Sequence, residues 1–253
     1  VKPKALIHFL EYHLLLGVQK AFIFDNNCHE WTTRTEQTLQ PYVDAGLVVL
    51  NTQFSCLEMK TFMFMHGFRG GSAMARQLSG MRDVPRGALV VSLDDDEFVV
   101  LRNASQDLTD LAKDLYAKRI CAVQLLWKVY GTSGHRCQPD GSLLHEFTSR
   151  SSQQKEVDPV EAQRIVVEAR DNQLNPPFIG KPVYLFLELT EPVCATHFCE
   201  SCPEGWVNCA QEEGPSSRCR SMGVHGRKSW INHYSFQSLE HWELKKLRGR
   251  TNM

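Results

Sequence analysis

The chain has 253 residues, enough to bury a full core as one large α/β domain or two small ones. A formal net charge of −1 leaves no basic footprint for nucleic acid or an anionic membrane, and no apolar run reaches the roughly 20 residues of a membrane span. The sequence begins at Val1 and enters a helical pattern within a few residues, so we read it as a piece of a longer chain in which a missing leader or anchor carries no weight.

In chain order, Ala5–Leu16 sets apolar residues at 6, 10 and 14, with Phe9 and Leu16 beside them, and Gly17 follows. That pattern predicts an amphipathic helix with a glycine stop. Ala21–Phe24 is a short buried strand, and Asp25-Asn26-Asn27 at its carboxyl end is in the simplest reading a turn. Arg34–Asp44 is helical and Gly46 closes it before a strand at Leu47–Leu50. Gly67–Arg82 carries Gly-Gly and then a helical stretch presenting Arg76 and Gln77. A helix around Leu108–Lys118 and a strand at Ala122–Trp127 complete an alternation of helix and strand, the mark of an α/β fold with a mainly parallel sheet. Beyond Tyr130 the pattern loosens. Tyr130–His135 is a loop of small and polar residues, Lys181–Leu187 and Trp230–Tyr234 are strands, and Ser238 caps a closing helix that runs to Gly249.

One stretch organises the rest. Ala88–Leu93 is too short for a helix and lacks helical spacing, so it reads as a fully buried strand, and it ends in Asp94, Asp95, Asp96 and Glu97. In open α/β sheets ligands bind just beyond the carboxyl ends of the strands. Four adjacent carboxylates repel one another there, and a hard divalent cation such as Mg²⁺ or Mn²⁺, itself attracted to phosphate oxygens, would relieve the repulsion. A solvated acidic turn is the alternative.

The nine cysteines are unevenly spread. Cys28, Cys56, Cys121 and Cys137 are scattered, whereas Cys194, Cys199, Cys202, Cys209 and Cys219 crowd a polar segment at 194–219. Such a segment needs covalent support to be ordered. It is either disulfide-stapled in an oxidising compartment or holds zinc through Cys199-x-x-Cys202; without a second C-x-x-C pair or histidine at zinc spacing, disulfides are favoured. Five is odd, so at least one of these cysteines stays free or pairs outside the cluster.

Four blocks together resemble glycosyltransferase family 92. They are Glu11-Tyr12-His13-Leu14-Leu15-Leu16-Gly17-Val18 with Phe22-Ile23-Phe24-Asp25-Asn26-Asn27; Leu93-Asp94-Asp95-Asp96-Glu97-Phe98, similar to the family's metal motif; Tyr130-Gly131-Thr132-Ser133-Gly134-His135; and Ile231-Asn232-His233-Tyr234 with Ser238 and Lys245. The resemblance implies a single GT-A-like domain over 1–253, with a nucleotide-binding half at 1–128 and an acceptor-binding half at 129–253. It implies inverting transfer of a hexose, such as galactose, from a UDP-sugar to a glycan or glycoprotein acceptor. It also implies residence in the Golgi or another secretory lumen, as a type II membrane protein anchored outside this sequence. By the same carry-over, Asp94 and Asp96 hold Mn²⁺ (or Mg²⁺) on the diphosphate and His233 completes the metal site. Asp25, Asn26, Arg76, Asp94 and His135 fall to the nucleotide-sugar.

Inverting transfer also needs a base near the acceptor hydroxyl. Glu146, Asp158 and Glu161 lie in the acceptor half, and Glu146 is preferred because it follows the His135 loop and precedes Arg150. Two departures from the family stand out. Its first strand would lie before Val1, which should leave a sheet edge unpaired and the helix face of Leu6, Leu10 and Leu14 uncovered, and the cysteine-rich insert lies outside its pattern. Two further readings compete. One is a non-catalytic luminal glycan-binding or scaffold protein on the same fold. The other is a Mg²⁺-dependent phosphohydrolase, which lacks a recognisable nucleophile motif at the first strand.

Overall fold

The computed structural model describes residues 3–25, 29–51, 84–150, 180–187, 199, 202–209 and 229–248. Helix α1 (Pro3–Leu15) leads into β1 (Ala21–Phe24), α2 (His29–Asp44) and β2 (Val48–Asn51). Both helices stop as their glycines dictate. Gly17 and Gly46 take positive φ (97° and 72°), and the next residues, Val18 and Leu47, donate back to the His13 and Tyr42 carbonyls. Strands β1 and β2 pair in parallel as a separate two-stranded sheet. Leu6, Leu10, Leu39 and Val48 are buried together in its core, with Leu14 packed against them. The expected uncovered face on the first helix is therefore covered, because α2 and β2 fold back onto it.

The larger sheet contains β3 (Ala88–Val91), β4 (Glu97–Leu101), β5 (Ile120–Val129), β6 (Gly180–Phe186), β7 (Val207–Asn208) and β8 (Ser229–His233). Its order is β3-β6-β5-β8-β4, with β7 added on β5. The sheet is mixed, as expected, but it is not mainly parallel. The β3–β6, β5–β6 and β4–β8 pairings are antiparallel, and β8 and β7 run parallel to β5. The helix–strand rhythm that suggested parallel strands covers only the first half of the chain, while β6 and β8 from the second half insert between β3 and β4. For the same reason β3 is not the fully buried strand its composition suggests: it sits at the end of the order, and all four residues are half-buried. The dry strands are β6 and the first half of β5.

Helix α3 (Leu108–Ala117), started by an Asp107/Asp110 capping box, packs Leu108 and Leu115 onto the core with Val99, Val123, Leu125, Val183, Leu185 and Ile231. At the opposite edge, β4 would expose unpaired backbone. Helix α1 covers it. Tyr12 Oη donates to the Val99 carbonyl (2.7 Å), and the Val99 N–H points to His13 Nε2 (3.4 Å), whose Nδ1–H donates to Phe9 O (2.8 Å). Burial holds the His13 imidazole well below its ordinary value, at about 4, with the Phe9 carbonyl pulling the other way.

A disulfide joins Cys121 on β5 to Cys202 in the insert, and Cys199 and Cys209 are disulfide-bonded as well. An insert cysteine thus pairs outside its own cluster, and the Cys199-x-x-Cys202 pair is not a free dithiolate for zinc. Cys194 and Cys219 lie outside the described residues. A short helix α4 (Leu143–Glu146) and a final helix α5 (Leu239–Arg248) complete the chain; Ser238 Oγ accepts from the His241 N–H, as its predicted capping role requires. No helix among the described residues is long and apolar enough to cross a membrane.

Candidate functional site

Strands β3, β5 and β8 finish, and β4 and β6 begin, at one end of the large sheet, because Leu126 pairs with Gly180 and His233 with both Val129 and Glu97. Consecutive strands β3 and β4 lie at opposite edges, so Ser92–Asp96 must cross that end in five residues. The crossing is a turn. Glu97 N–H donates to Asp94 O (3.1 Å) and Tyr234 N–H donates to Asp96 O (2.9 Å), extending the β4–β8 ladder by one residue.

The four acids do not form one cluster. Lys181 Nζ lies 3.1 Å from Asp94 Oδ2 and 3.5 Å from Glu97 Oε2, and the same Glu97 oxygen accepts from the Asp94 N–H at 2.8 Å. Lys181 and Glu97 are 1% and 0% exposed, whereas the Asp94 side chain keeps 64% of its surface. Burial pushes the Glu97 carboxyl up to about 8; the Lys181 ammonium opposes that push and the Asp94 charge adds to it. Gly180 explains how the lysine gets there. A Cβ at 180 would collide with the Leu125 carbonyl oxygen, so only glycine lets β6 begin this close to β5.

Asp96 has a different neighbour, His233. Asp96 is buried, with Oδ1 3.5 Å from His233 Nε2, and the His233 ring lies 4.5 Å from that of Trp127. Two donors about 2.1 Å from one small cation lie about 3 Å apart when adjacent. Asp96 Oδ1 and His233 Nε2, at 3.5 Å, stand wider apart than that, so the pair would have to close to share a Mg²⁺- or Mn²⁺-sized ion. Asp94, expected as a ligand beside them, has its Oδ2 against Lys181. No group of three or more His, Cys, Asp or Glu side chains among the described residues is arranged to hold a metal.

The other predicted residues divide. His135, in the loop after β5, and Glu146, at the end of α4, come together: His135 Nε2 is 3.0 Å from the Glu146 carbonyl oxygen and 3.7 Å from its carboxylate. The Glu146 side chain lies over Gly141, where an added Cβ would fall 2.7 Å from its carboxyl carbon. His135 rests on Phe147, which shares a cluster with Phe98 and Tyr234, so this pair is one aromatic layer from the acidic turn. Asp25 is buried at the end of β1 and therefore belongs to the small sheet, its N–H donating to Asn51 O. Asn26, Arg76, Asp158 and Glu161 lie outside the described residues.

Sequence reasoning missed Lys181 and Trp127. Lys181 had a signal: a lone charge opening the apolar run Pro182–Phe186 needs a counter-charge, and 94–97 is the acidic cluster that ends a strand. Trp127 had none, since an aromatic closing a strand is ordinary core. Comparison of this chain with models of protein families, with characterised proteins and with solved structures finds no match.

Proposed function

We propose that this chain is a metal-dependent glycosyltransferase on a GT-A-like fold, moving a hexose from a UDP-sugar to a glycan acceptor with inversion. The observation that carries the reading is the meeting of Asp96 and His233, from opposite halves of the chain, at the end of a mixed sheet where α/β folds bind ligands. A cation on that pair would stabilise charge on the departing diphosphate by several kcal/mol. Glu146, held by His135 and Gly141 yet part-exposed, is the base for the acceptor hydroxyl. The Cys121–Cys202 bond fits the oxidising lumen of the secretory pathway.

A specific observation favours the non-catalytic luminal glycan-binding reading: a lysine already stands among the acids that the metal was expected to bridge. Calorimetric titration of UDP with and without Mn²⁺, on wild type and Asp96→Asn, tests the leading reading. Mn²⁺-dependent UDP binding that Asp96→Asn abolishes supports it, and unchanged affinity in the variant rejects it. A screen of nucleotide-sugars for Mn²⁺-dependent hydrolysis then separates the two readings, since a binding protein holds UDP without turnover.

A further inference from the structure

We propose that His13 is an acid-released latch that clips helix α1, and the small sheet packed on it, to the edge of β4. The device needs no ligand at the acidic turn, so it stands or falls apart from the reading above.

The geometry admits one protonation state. The Phe9 carbonyl can only accept, so His13 Nδ1, 2.8 Å from it, carries the ring hydrogen. The Val99 N–H can only donate, so Nε2, 3.4 Å away, keeps its lone pair. A second proton would set two donors face to face and leave the Val99 N–H, on an edge strand, without its acceptor. The surroundings offer the imidazolium no counter-charge. Among the described residues the ring is enclosed by Phe9 and Tyr12 of α1 and Phe98 of β4, with centroids 4.5, 5.1 and 5.7 Å away. Of these groups only Tyr12 titrates; burial raises its hydroxyl, which donates to the Val99 carbonyl. The acids on the two elements, Glu11 and Glu97, are engaged elsewhere, by Tyr42 and by Lys181. Burial accordingly holds the imidazole at about 4.

Helix α1 is a joint between the two sheets. It buries Leu6 and Leu10 with Leu39 and Val48 in the small core, and presents Tyr12 and His13 to β4. Protonation of His13 therefore favours a state in which α1 parts from β4. Parting also withdraws Phe9 and Tyr12 from the cluster of Phe98, Phe147 and Tyr234 on which His135 rests, so acid loosens the support of the His135–Glu146 pair.

Amide exchange followed by NMR on the whole chain tests this, each rate being divided by its intrinsic value to give an opening constant. Val99, whose N–H faces His13, reports the latch, and Val183, on β6 between β3 and β5, reports global opening. At pH 7 Val99 should open more often than Val183. With the imidazole at 6.5 when released and about 4 when clipped, the Val99 opening constant should rise about twentyfold from pH 7 to pH 5. In His13→Gln, whose amide can make the same two bonds without titrating, the change should stay below about threefold. A wild-type rise below about threefold, an equal rise in the variant, or a Val99 constant no larger than that of Val183 overturns the proposal. Where the variant does not fold, the wild-type ring decides: a His13 Hε1 signal that titrates near 4 in the native protein supports the latch, and one that titrates near 6.5 overturns it.

Discussion

The two halves of β5 are built differently. Ile120, Cys121, Ala122 and Val123 are all fully buried, flanked by β6 and β7 and bonded to the insert through Cys121. Trp127 to Val129 are half-buried, pair with β8, and end beside His233, whose Nε2 lies 3.5 Å from Asp96 Oδ1. One strand thus passes from a fully buried, cross-linked anchor to a half-buried stretch beside polar and charged side chains. Regions that bind or react are drawn from the less stable parts of a protein, and continuity with a rigid half lets them keep their geometry. The difference predicts that changes at the first half cost stability, whereas changes at the second cost function.

The largest effect should come from the anchor. Replacing Cys121 and Cys202 with alanine opens a link between residues 81 apart and should cost about 4 kcal/mol, seen as a lower denaturant midpoint. Affinity for Mn²⁺ should stay within about twofold. A matching loss of ion binding would show that the two halves are not separable.

Acid should act next, through His13 at the β4 edge. Its folded value is about 4 against the ordinary 6.5, so between these values the unfolded chain takes up a proton that the native chain refuses. Its contribution is whole above pH 6.5, falls as pH drops, and is lost by about pH 4, a total of about 3 kcal/mol. Denaturant midpoints of wild type and His13→Gln should converge across that window as pH falls. Parallel curves would mean that another group carries the acid sensitivity.

At the polar end the balance reverses. Asp96→Asn should leave the fold intact, while Mn²⁺-dependent UDP binding disappears. A melt several degrees lower would place Asp96 among the structural residues instead. The smallest stability effect should be that of Glu146→Gln, on a side chain one-third exposed: within about 0.5 kcal/mol, and turnover lower by about a hundredfold if Glu146 is the base. Gly141→Ala should act the same way more mildly, because its methyl would push the carboxylate off His135. Unchanged turnover in both would remove Glu146 from the mechanism.

Much of the local structure was legible in advance. The helix stops at Gly17 and Gly46, the strand at Ala21–Phe24, the capped start at Ser238 and the strand before His233 all follow from residues within a few positions of one another. So did the presence of a disulfide-bonded insert, since its polar composition could not hold it otherwise. Asp96 and His233 were named together, but only through the family resemblance; no local pattern joins two residues from different halves of the chain.

What the sequence by itself determined is therefore short-range: where each helix and strand starts and stops, and that one strand delivers four acids to a turn. Strand order was decided only in three dimensions. Pairing depends on which backbone edges are left open once the chain collapses, and β6 and β8 entered between β3 and β4, which the local rhythm of helix and strand does not encode. That insertion turned an expected buried parallel strand into a half-exposed edge and carried Lys181 under the acidic turn. The charge balance of the site was decided there too. A carboxylate's partner is set by what lies within a few ångströms, and for Asp94 that is a lysine 87 residues further along the chain.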